Sequence, residues 1–422
     1  MTPNKLLSIT PNNLFSNKYI ALFIEKYNSK LRLDYKYNHL IDNRREQINE
    51  IFLHKIITRV IENDYKFSCP KLVFLKKRNG KYREVYSFDN SEKIYFSYIN
   101  HLVQYLEINV HDNCYSFRTD KKISELIASV HHYIKRYPYK SVIRIDIKEF
   151  FKSITTHSLN SWLPDTIKKS YPIYSTIKNV LLNNQVILDG QKIEYTKKGI
   201  MQGFPLAPVL SNIFLSEFDQ KMSEKFSFYR RYADDMIFIV DEFAVKESYE
   251  EIIHELENYL LNINEEKTVI YKGYHKAIPF LGFEISSSQI DISENTLNKF
   301  NSKVRRIARS IHRWKVKNEI DEQRALSVFF RKFEKKLYGC EHLQKKFSWT
   351  QWFFPVITSH KRIRNIDREM QYWARYIVTG RHRKLNYKKV PYKYLKNNGY
   401  VPLVSRFYEY RCRIMYSDSI CN

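Results

Sequence analysis

The sequence predicts an α+β chain, in which a small, mainly antiparallel sheet with helices precedes a helical, strongly basic module. Short apolar runs with two-residue alternation recur between residues 72 and 285, with helical periodicity between them. From Glu294 onward the pattern is helical, and residues 296–422 hold 30 Lys and Arg against 9 Asp and Glu.

Taken in order, residues 1–70 read as largely helical, with a periodic segment near Glu46–Glu62. Leu72–Tyr86 reads as two strands around an Asn79-Gly80 turn, because that dipeptide accepts the positive φ angles of a tight hairpin. Helices are expected at Ser91–Asn109 and at 122–135, the second capped by Asp120. Ser141–Ile147 is a strand with Ile143, Ile145 and Ile147 on one face and Arg144 and Asp146 on the other. Residues 157–184 read as mostly helical. Asn212–Phe228 starts as a helix and runs into a strand at Phe228–Tyr232, and a further strand follows at Met236–Val240. An amphipathic helix around Ile252, Ile253, Leu256 and Leu260 precedes strands at Thr268–Tyr271 and Phe280–Ile285. Helices are expected over Thr296–Gly339 and from Ser348 to Thr379, followed by a basic tail, Arg381 to Lys396.

Composition narrows the function. The chain of 422 residues is 43% hydrophobic, enough to bury two or three cores. A net charge of +26 calls for a polyanionic partner, nucleic acid before acidic membrane. The 33 Tyr and 27 Phe include rings suited to stacking on unpaired bases. No apolar run is long enough to cross a bilayer, and the N-terminus lacks the pattern of a signal peptide. Five scattered cysteines form no CxxC pair, which argues against structural zinc and disulfides. A reduced, cytoplasmic protein is expected, with no membrane partner and an oligomeric state left open.

Phosphoryl transfer to a primer hydroxyl uses two divalent ions about 3.5–4 Å apart. Magnesium takes a few carboxylates plus substrate phosphates, so acids at strand ends are the feature to seek. Asp146 ends one apolar strand, and Asp234 and Asp235 lie in a tight turn between two more. Neighbours on a strand face opposite ways, so one of the pair meets Asp146 squarely. Asp234 is taken as the main ligand and Asp235 as its support.

These segments also resemble a known family. Arg230-Arg231-Tyr232-Ala233-Asp234-Asp235 resembles the catalytic hairpin of reverse transcriptases, and Arg144-Ile145-Asp146-Ile147-Lys148-Glu149-Phe150-Phe151 their first aspartate motif. Gly199-Ile200-Met201-Gln202-Gly203-Phe204-Pro205-Leu206-Ala207-Pro208, continuing to Ser211-Asn212, is similar to their template and nucleotide motif. Asn264-Glu265-Glu266-Lys267-Thr268 and Phe280-Leu281-Gly282-Phe283 follow in the family's order. Upstream, Lys76-Lys77 through Lys81-Tyr82-Arg83 is similar to the fingers hairpin. Cys114-Tyr115-Ser116-Phe117-Arg118 is similar to a further fingers motif, with Ser116 where the family has Gly. The resemblance covers about Lys71 to Ile285.

The resemblance implies a right-hand polymerase fold. Its parts would be an N-terminal extension and fingers (1–140), a palm (141–292, with a fingers segment about 155–200), a helical thumb (293–347) and a basic helical C-terminal region (348–422). It implies an RNA-directed DNA polymerase with two Mg2+ ions, replaceable by Mn2+, held by Asp146, Asp234 and Asp235 with Ile147 in the metal set. Its partners would be an RNA template, dNTP and a cDNA product.

Lys76 and Arg83 would hold the triphosphate, Gln202 and Gly203 would meet the nucleotide, and Phe280, Leu281 and Gly282 would position the primer end. Phe151 would exclude a 2′-hydroxyl, with Phe150 able to swap roles with it. Lys267 would protonate the departing pyrophosphate, its alternative being an exposed helix-end lysine. Lys303, Arg305, Arg306, Arg309 and Arg313 would bind a duplex backbone.

The retron Asn-Ala-x-x-His signature is missing, and Val378-Thr379-Gly380 lies too far downstream to serve as another. The remaining pattern resembles standalone bacterial reverse transcriptases of anti-phage defence, which use a dedicated structured noncoding RNA. A retron or intron-maturase-like enzyme, or an RNA-binding protein on a polymerase fold, is the alternative.

Overall fold

The computed structural model describes residues 19–25, 27, 50–62, 64–76, 80–103, 106, 110–273, 277–338 and 348–420. Two compact units divide the chain, one of Met1–Thr119 with Val142–Ile270 and one of Asp120–Ser141 with Tyr271–Asn422.

The first unit is built on strands β1 (Lys71–Lys76), β2 (Tyr82–Ser87), β3 (Ser141–Asp146), β4 (Gln185–Leu188), β5 (Gln191–Glu194), β6 (Tyr229–Tyr232), β7 (Asp235–Val240) and β8 (Val269–Tyr271). They form two sheets, ordered β2-β1-β4-β5 and β6-β7-β3-β8. Strand β3 is central in its sheet, and Val142, Ile143 and Ile145 are all buried, so apolar matter covers both faces rather than one. The helix Asn90–Val103 buries Tyr95, Phe96, Tyr98, Ile99 and Leu102. Phe96 meets Phe88 and Phe204 edge-on, each at 5.1 Å, which packs the end of β2 and the segment around Gly203 onto one core.

Several elements differ from expectation for local reasons. The stretch 157–184 is three helices, Leu159–Trp162, Asp165–Lys168 and Tyr171–Leu182, because Pro164 and Pro172 can only sit at helix starts. The β4–β5 hairpin was not anticipated. Its Asp189-Gly190 turn, with φ of 50° and 85°, is the same kind of signal as Asn79-Gly80. Of that earlier turn, Lys77 and Asn79 lie outside the described residues, as do 28–49, 107–109 and 339–347, where parts of the expected helices fall. The helix expected at 122–135 spans Ile123–Arg136 and is capped at Lys122, whose N–H donates to Glu125, rather than at Asp120. The helix expected from Asn212 is two, Ala207–Phe214 and Ser216–Lys225.

The second unit carries a three-stranded sheet of β9 (Ile278–Phe280), β10 (Phe283–Ile285) and β11 (Ile290–Ile292), ordered β11-β10-β9. The single strand expected at Phe280–Ile285 is instead a hairpin. Leu281 and Gly282 both have positive φ, 49° and 88°, and reverse the chain. The helix Glu294–Lys317 buries Leu297, Phe300, Val304, Ala308 and Ile311 in one stripe, leaving Arg305, Arg306, Arg309 and Arg313 exposed. Ser293 caps it by accepting from the Thr296 N–H. No helix among the described residues is long and apolar enough to cross a membrane.

Gly203 has φ of 109°, and a Cβ there would lie 2.2 Å from the Tyr86 carbonyl oxygen. Gly190 has φ of 85°, with nothing within 4 Å of such an atom. Gly203→Ala is therefore expected to cost about 3 kcal/mol or more, and Gly190→Ala only about 1–2 kcal/mol, by urea denaturation. Equal costs would contradict the close approach.

Candidate active site

The two-residue turn between β6 and β7 is Ala233-Asp234, with Ala233 in the left-handed region at φ of 57°, which costs a non-glycine residue about 1–2 kcal/mol. Hydrogen bonds hold both of its carbonyls. The Asp234 oxygen accepts from the Ile147 N–H at 3.1 Å, and the Ala233 oxygen accepts from Arg231 at 3.2 Å. Arg231 points into the core because β6 alternates, and its side chain and that of Asp219 are both fully buried. Their two bonds, at 2.7 and 2.6 Å, form a fork on the carboxylate. Burial pulls the guanidinium pKa down, and the Asp219 carboxylate more than reverses this, so Arg231 stays ionised.

Asn212 extends this network. Its side-chain oxygen accepts from Arg231 at 3.2 Å and from the Ser116 hydroxyl at 3.1 Å, and its amide donates to the Ser116 carbonyl at 2.8 Å. Ser116, where a glycine was expected, thus puts its hydroxyl to use under the turn.

Asp146, at the end of β3, is buried and well held. The Asn264 amide donates to its Oδ1 at 3.1 Å, and the Asn264 N–H to its carbonyl at 2.7 Å. Lys267 Nζ bonds both carboxylate oxygens, at 2.9 and 2.8 Å, from a side chain that is 56% exposed and so free to swing. Burial, then the neighbouring Asp146 carboxylate, push Asp234 up to about 6. Asp235 accepts from Arg144 at 2.7 Å. Burial raises its pKa as well, against the pull of Arg144.

Ile147 is joined to this cluster through its N–H, with its side chain buried. Phe150 is buried and Phe151 half-buried beside it, their rings 5.5 Å apart, which leaves Phe151 as the accessible one. The Phe151 carbonyl accepts from the Ile200 N–H at 2.7 Å, and the Gln202 carbonyl from the Tyr86 N–H, also at 2.7 Å. The backbone that comes close to Gly203 is thus that of β2. Lys152 bonds Glu84 at 2.7 Å, tying β2 to the same segment.

Lys76 and Arg83 are both exposed. The register sets Lys76 opposite Tyr82 and Leu75 opposite Arg83, which puts the two cations on opposite faces of the hairpin. Lys76 is the one that shares a face with Glu84.

Phe280, Leu281 and Gly282 belong to the second unit. Phe280 is buried, and the Gly282 carbonyl accepts from the Ser293 N–H at 2.8 Å, which packs this hairpin tip on the start of the cationic helix. Lys303, Arg305, Arg306, Arg309 and Arg313 lie along that helix.

Among the described residues no three His, Cys, Asp or Glu side chains form a ready metal cage. Asp146 and Asp234 nonetheless fit magnesium, which in polymerase-type sites takes one or two carboxylates and completes its shell with phosphates and water. Their mutual repulsion and the cation already lying on Asp146 mark a place that favours positive charge. Asn264, Arg144 and Arg231 stand in the quoted motifs without an assigned role, and Asp219 stands outside them. An arginine at an inward position of β6 was the available signal for a buried partner, but nothing in the sequence named Asp219.

Residues 75–285, half of the chain, match the family described as reverse transcriptase (RNA-dependent DNA polymerase). The chain belongs to the reverse transcriptase family. It is 26% identical over 184 residues to a COX1/OXI3 intron 2 protein of Saccharomyces cerevisiae, a match that takes in 42% of this chain and 21% of that one. The chain thus spans about a fifth of that relative. Among solved structures it is similar to Candida tropicalis apo telomerase truncated from its C-terminal domain (TM-score 0.44, 16% identity, 60% of this chain and 63% of that one). It is also similar to the apo telomerase of that organism (TM-score 0.46, 14% identity, 80% and 59%).

Between about pH 4 and pH 6 the raised Asp234 carboxyl binds more protons folded than unfolded, so its contribution makes stability fall as pH rises through that window. Asp234→Asn is expected to stabilise the metal-free protein at pH 7.5 by on the order of 1–2 kcal/mol, allowing for partial solvent access, and to change little at pH 4. Urea denaturation at both values checks this, and an equal effect at both would contradict it.

Proposed function

We propose that this chain is an RNA-directed DNA polymerase that extends a primer by phosphoryl transfer using two divalent metal ions. The observation that carries the proposal is the union of Asp146 and Asp234, remote in the chain, through the bond from the Ile147 N–H to the Asp234 carbonyl, with Lys267 beside them. Asp146 and Asp234 would hold the ions, which when bound activate the primer hydroxyl and neutralise charge on the phosphates.

The 3′-oxygen attacks the α-phosphorus and gives up its proton to solvent as the bond from that phosphorus to the pyrophosphate oxygen breaks. Lys267 swings off Asp146 and gives a proton to that leaving group. Lys76 supplies a point charge for the triphosphate, and Asn264 keeps Asp146 in place. Arg144 holds Asp235 in place through their ion pair. Phe151, accessible where Phe150 is not, excludes a ribose 2′-hydroxyl.

In this reading the β1–β2 hairpin serves as fingers, the β6-β7-β3-β8 sheet as palm and the Glu294–Lys317 helix as thumb, with its arginines on the duplex. Mg2+ or Mn2+, dNTP, an RNA template and a cDNA product follow. The likeness of the motifs extends the proposal to a dedicated structured noncoding RNA and a role in anti-phage defence.

Primer extension on an RNA template with magnesium tests the proposal. Wild type is expected to extend with deoxynucleotides, Asp146→Ala and Asp234→Ala to lose at least about a thousand-fold, and Phe151→Ala to admit ribonucleotides. Extension that survives Asp234→Ala would refute the assignment. Silence of wild type on every template, co-purified RNA included, would favour an RNA-binding protein on a polymerase fold.

A further inference from the structure

Outside the matched segment, the second unit carries a concentration of charge to which the function proposed above assigns no role. Residues 370–408 contain nine Lys and Arg and no Asp or Glu. Five of these, Arg381, Arg383, Lys384, Lys388 and Lys389, fall within nine positions, all exposed, and none makes an ion pair among the described residues. Like charges that close repel, and a solvated surface ordinarily interleaves them with acids.

The segment is nevertheless pinned. It leaves the Lys361–Thr379 helix through Gly380, whose N–H donates to the Tyr376 carbonyl at 2.8 Å and whose φ is 66°. The buried Asn386 side chain donates to the Arg381 carbonyl at 2.7 Å, and the Val390 N–H to the Asn386 carbonyl at 2.9 Å. At the end of the helix, Lys315 donates to the Val378 carbonyl at 2.8 Å. The backbone is therefore fixed before any partner arrives, so binding loses little conformational entropy.

A ring stack adjoins these cations. His382 lies parallel to Tyr376, with centroids 4.4 Å apart and planes at 15°, and nearly parallel to Tyr372 at 5.9 Å and 21°. The Tyr372 hydroxyl contacts His382 Nδ1 at 3.0 Å, and Trp373 closes the cluster edge-on at 5.2 Å. Tyr372 is 40% exposed and Tyr387, in the cationic segment itself, 53%. Arg309 of the Glu294–Lys317 helix lies over the Trp373 ring, so the cationic face of that helix runs on into the cluster.

Phosphates at short intervals match the charge, and accessible rings match unpaired bases. A duplex would satisfy the cations but leave the rings without stacking partners. An acidic membrane would want apolar side chains to insert, and the segment offers Leu385.

We propose that residues 380–389, together with the Tyr372, Tyr376 and His382 stack, form a docking site for unpaired RNA, with phosphates on the five cations and a base on the exposed rings. That the strand belongs to the template RNA rests on the function proposed above, whereas the chemistry of the site does not.

Fluorescence anisotropy of the full chain with a short unstructured RNA tests the site, against DNA of the same sequence, an RNA duplex and vesicles of phosphatidylcholine with phosphatidylserine. The triple variant Arg381→Gln, Arg383→Gln, Lys384→Gln is expected to bind the RNA about ten-fold more weakly or worse. Its slope of log affinity on log salt should be smaller by about 2, from about 0.7 per lost contact. Tyr372→Leu is expected to weaken single-stranded RNA about ten-fold with the slope unchanged, and to leave the duplex alone.

Extension of a short pre-annealed hybrid should stay within about two-fold of wild type for both variants. Unchanged RNA affinity in the triple variant overturns the proposal, and so does binding to vesicles alone. DNA bound as tightly as RNA overturns the choice of strand. Extension lost in parallel with binding would assign these residues to the catalytic path instead. A wild type that binds RNA but extends nothing would sink the polymerase reading and leave this site standing.

Discussion

A guanidinium with no access to water holds the turn on which the chemistry depends. Arg231 costs several kcal/mol to bury, and the geometry offsets this with a fork on Asp219, a bond to Asn212 and one to the Ala233 carbonyl. The last bond matters most for the site. A non-glycine residue in a left-handed turn persists only where its surroundings over-determine it, and here a buried ion pair does so. Removing one partner would strand a charge in the core at a cost of about 3–5 kcal/mol, so the Ala233-Asp234 turn and the stability of the unit are coupled.

Given that turn, the two adjacent acids differ in their partners. Burial and the Asp146 carboxylate resist the ionisation of Asp234, whereas at Asp235 the ion pair with Arg144 offsets part of that resistance. The result is an electrostatic demand for cation at one place rather than a general excess of acid. Lys267 answers that demand in part, from a side chain that is half exposed. One residue can thus quiet the site and also carry a proton to a leaving group. In the second unit, by contrast, five exposed cations are gathered on fixed backbone and make no ion pair among the described residues.

Much of this was legible because strand period and apolar content coincide. The aspartates stood out at the ends of apolar runs, and the helical pattern from Glu294 onward anticipated the Glu294–Lys317 helix. What failed did so for identifiable reasons. The β4–β5 hairpin is four residues on each side and follows a helical stretch, so its Asp189-Gly190 turn was passed over. The Phe280–Ile285 run looked continuous because Leu281, an apolar residue, occupies a left-handed turn position. The opposition of Lys76 and Arg83 depends on register, which a motif cannot convey. Partners remote in sequence, such as Asp219 for Arg231 and Asn264 for Asp146, become visible only once the chain is folded.

The proposed chemistry requires Asp146 and Asp234 to share a divalent cation, with Asp235 in support. Manganese titration followed by electron paramagnetic resonance, with a dNTP present, tests it most directly. The account predicts that Asp146→Asn and Asp234→Asn each abolish specific binding, and that Asp235→Asn retains it with at most about a ten-fold loss. Binding that survives in Asp234→Asn but vanishes in Asp235→Asn would contradict it.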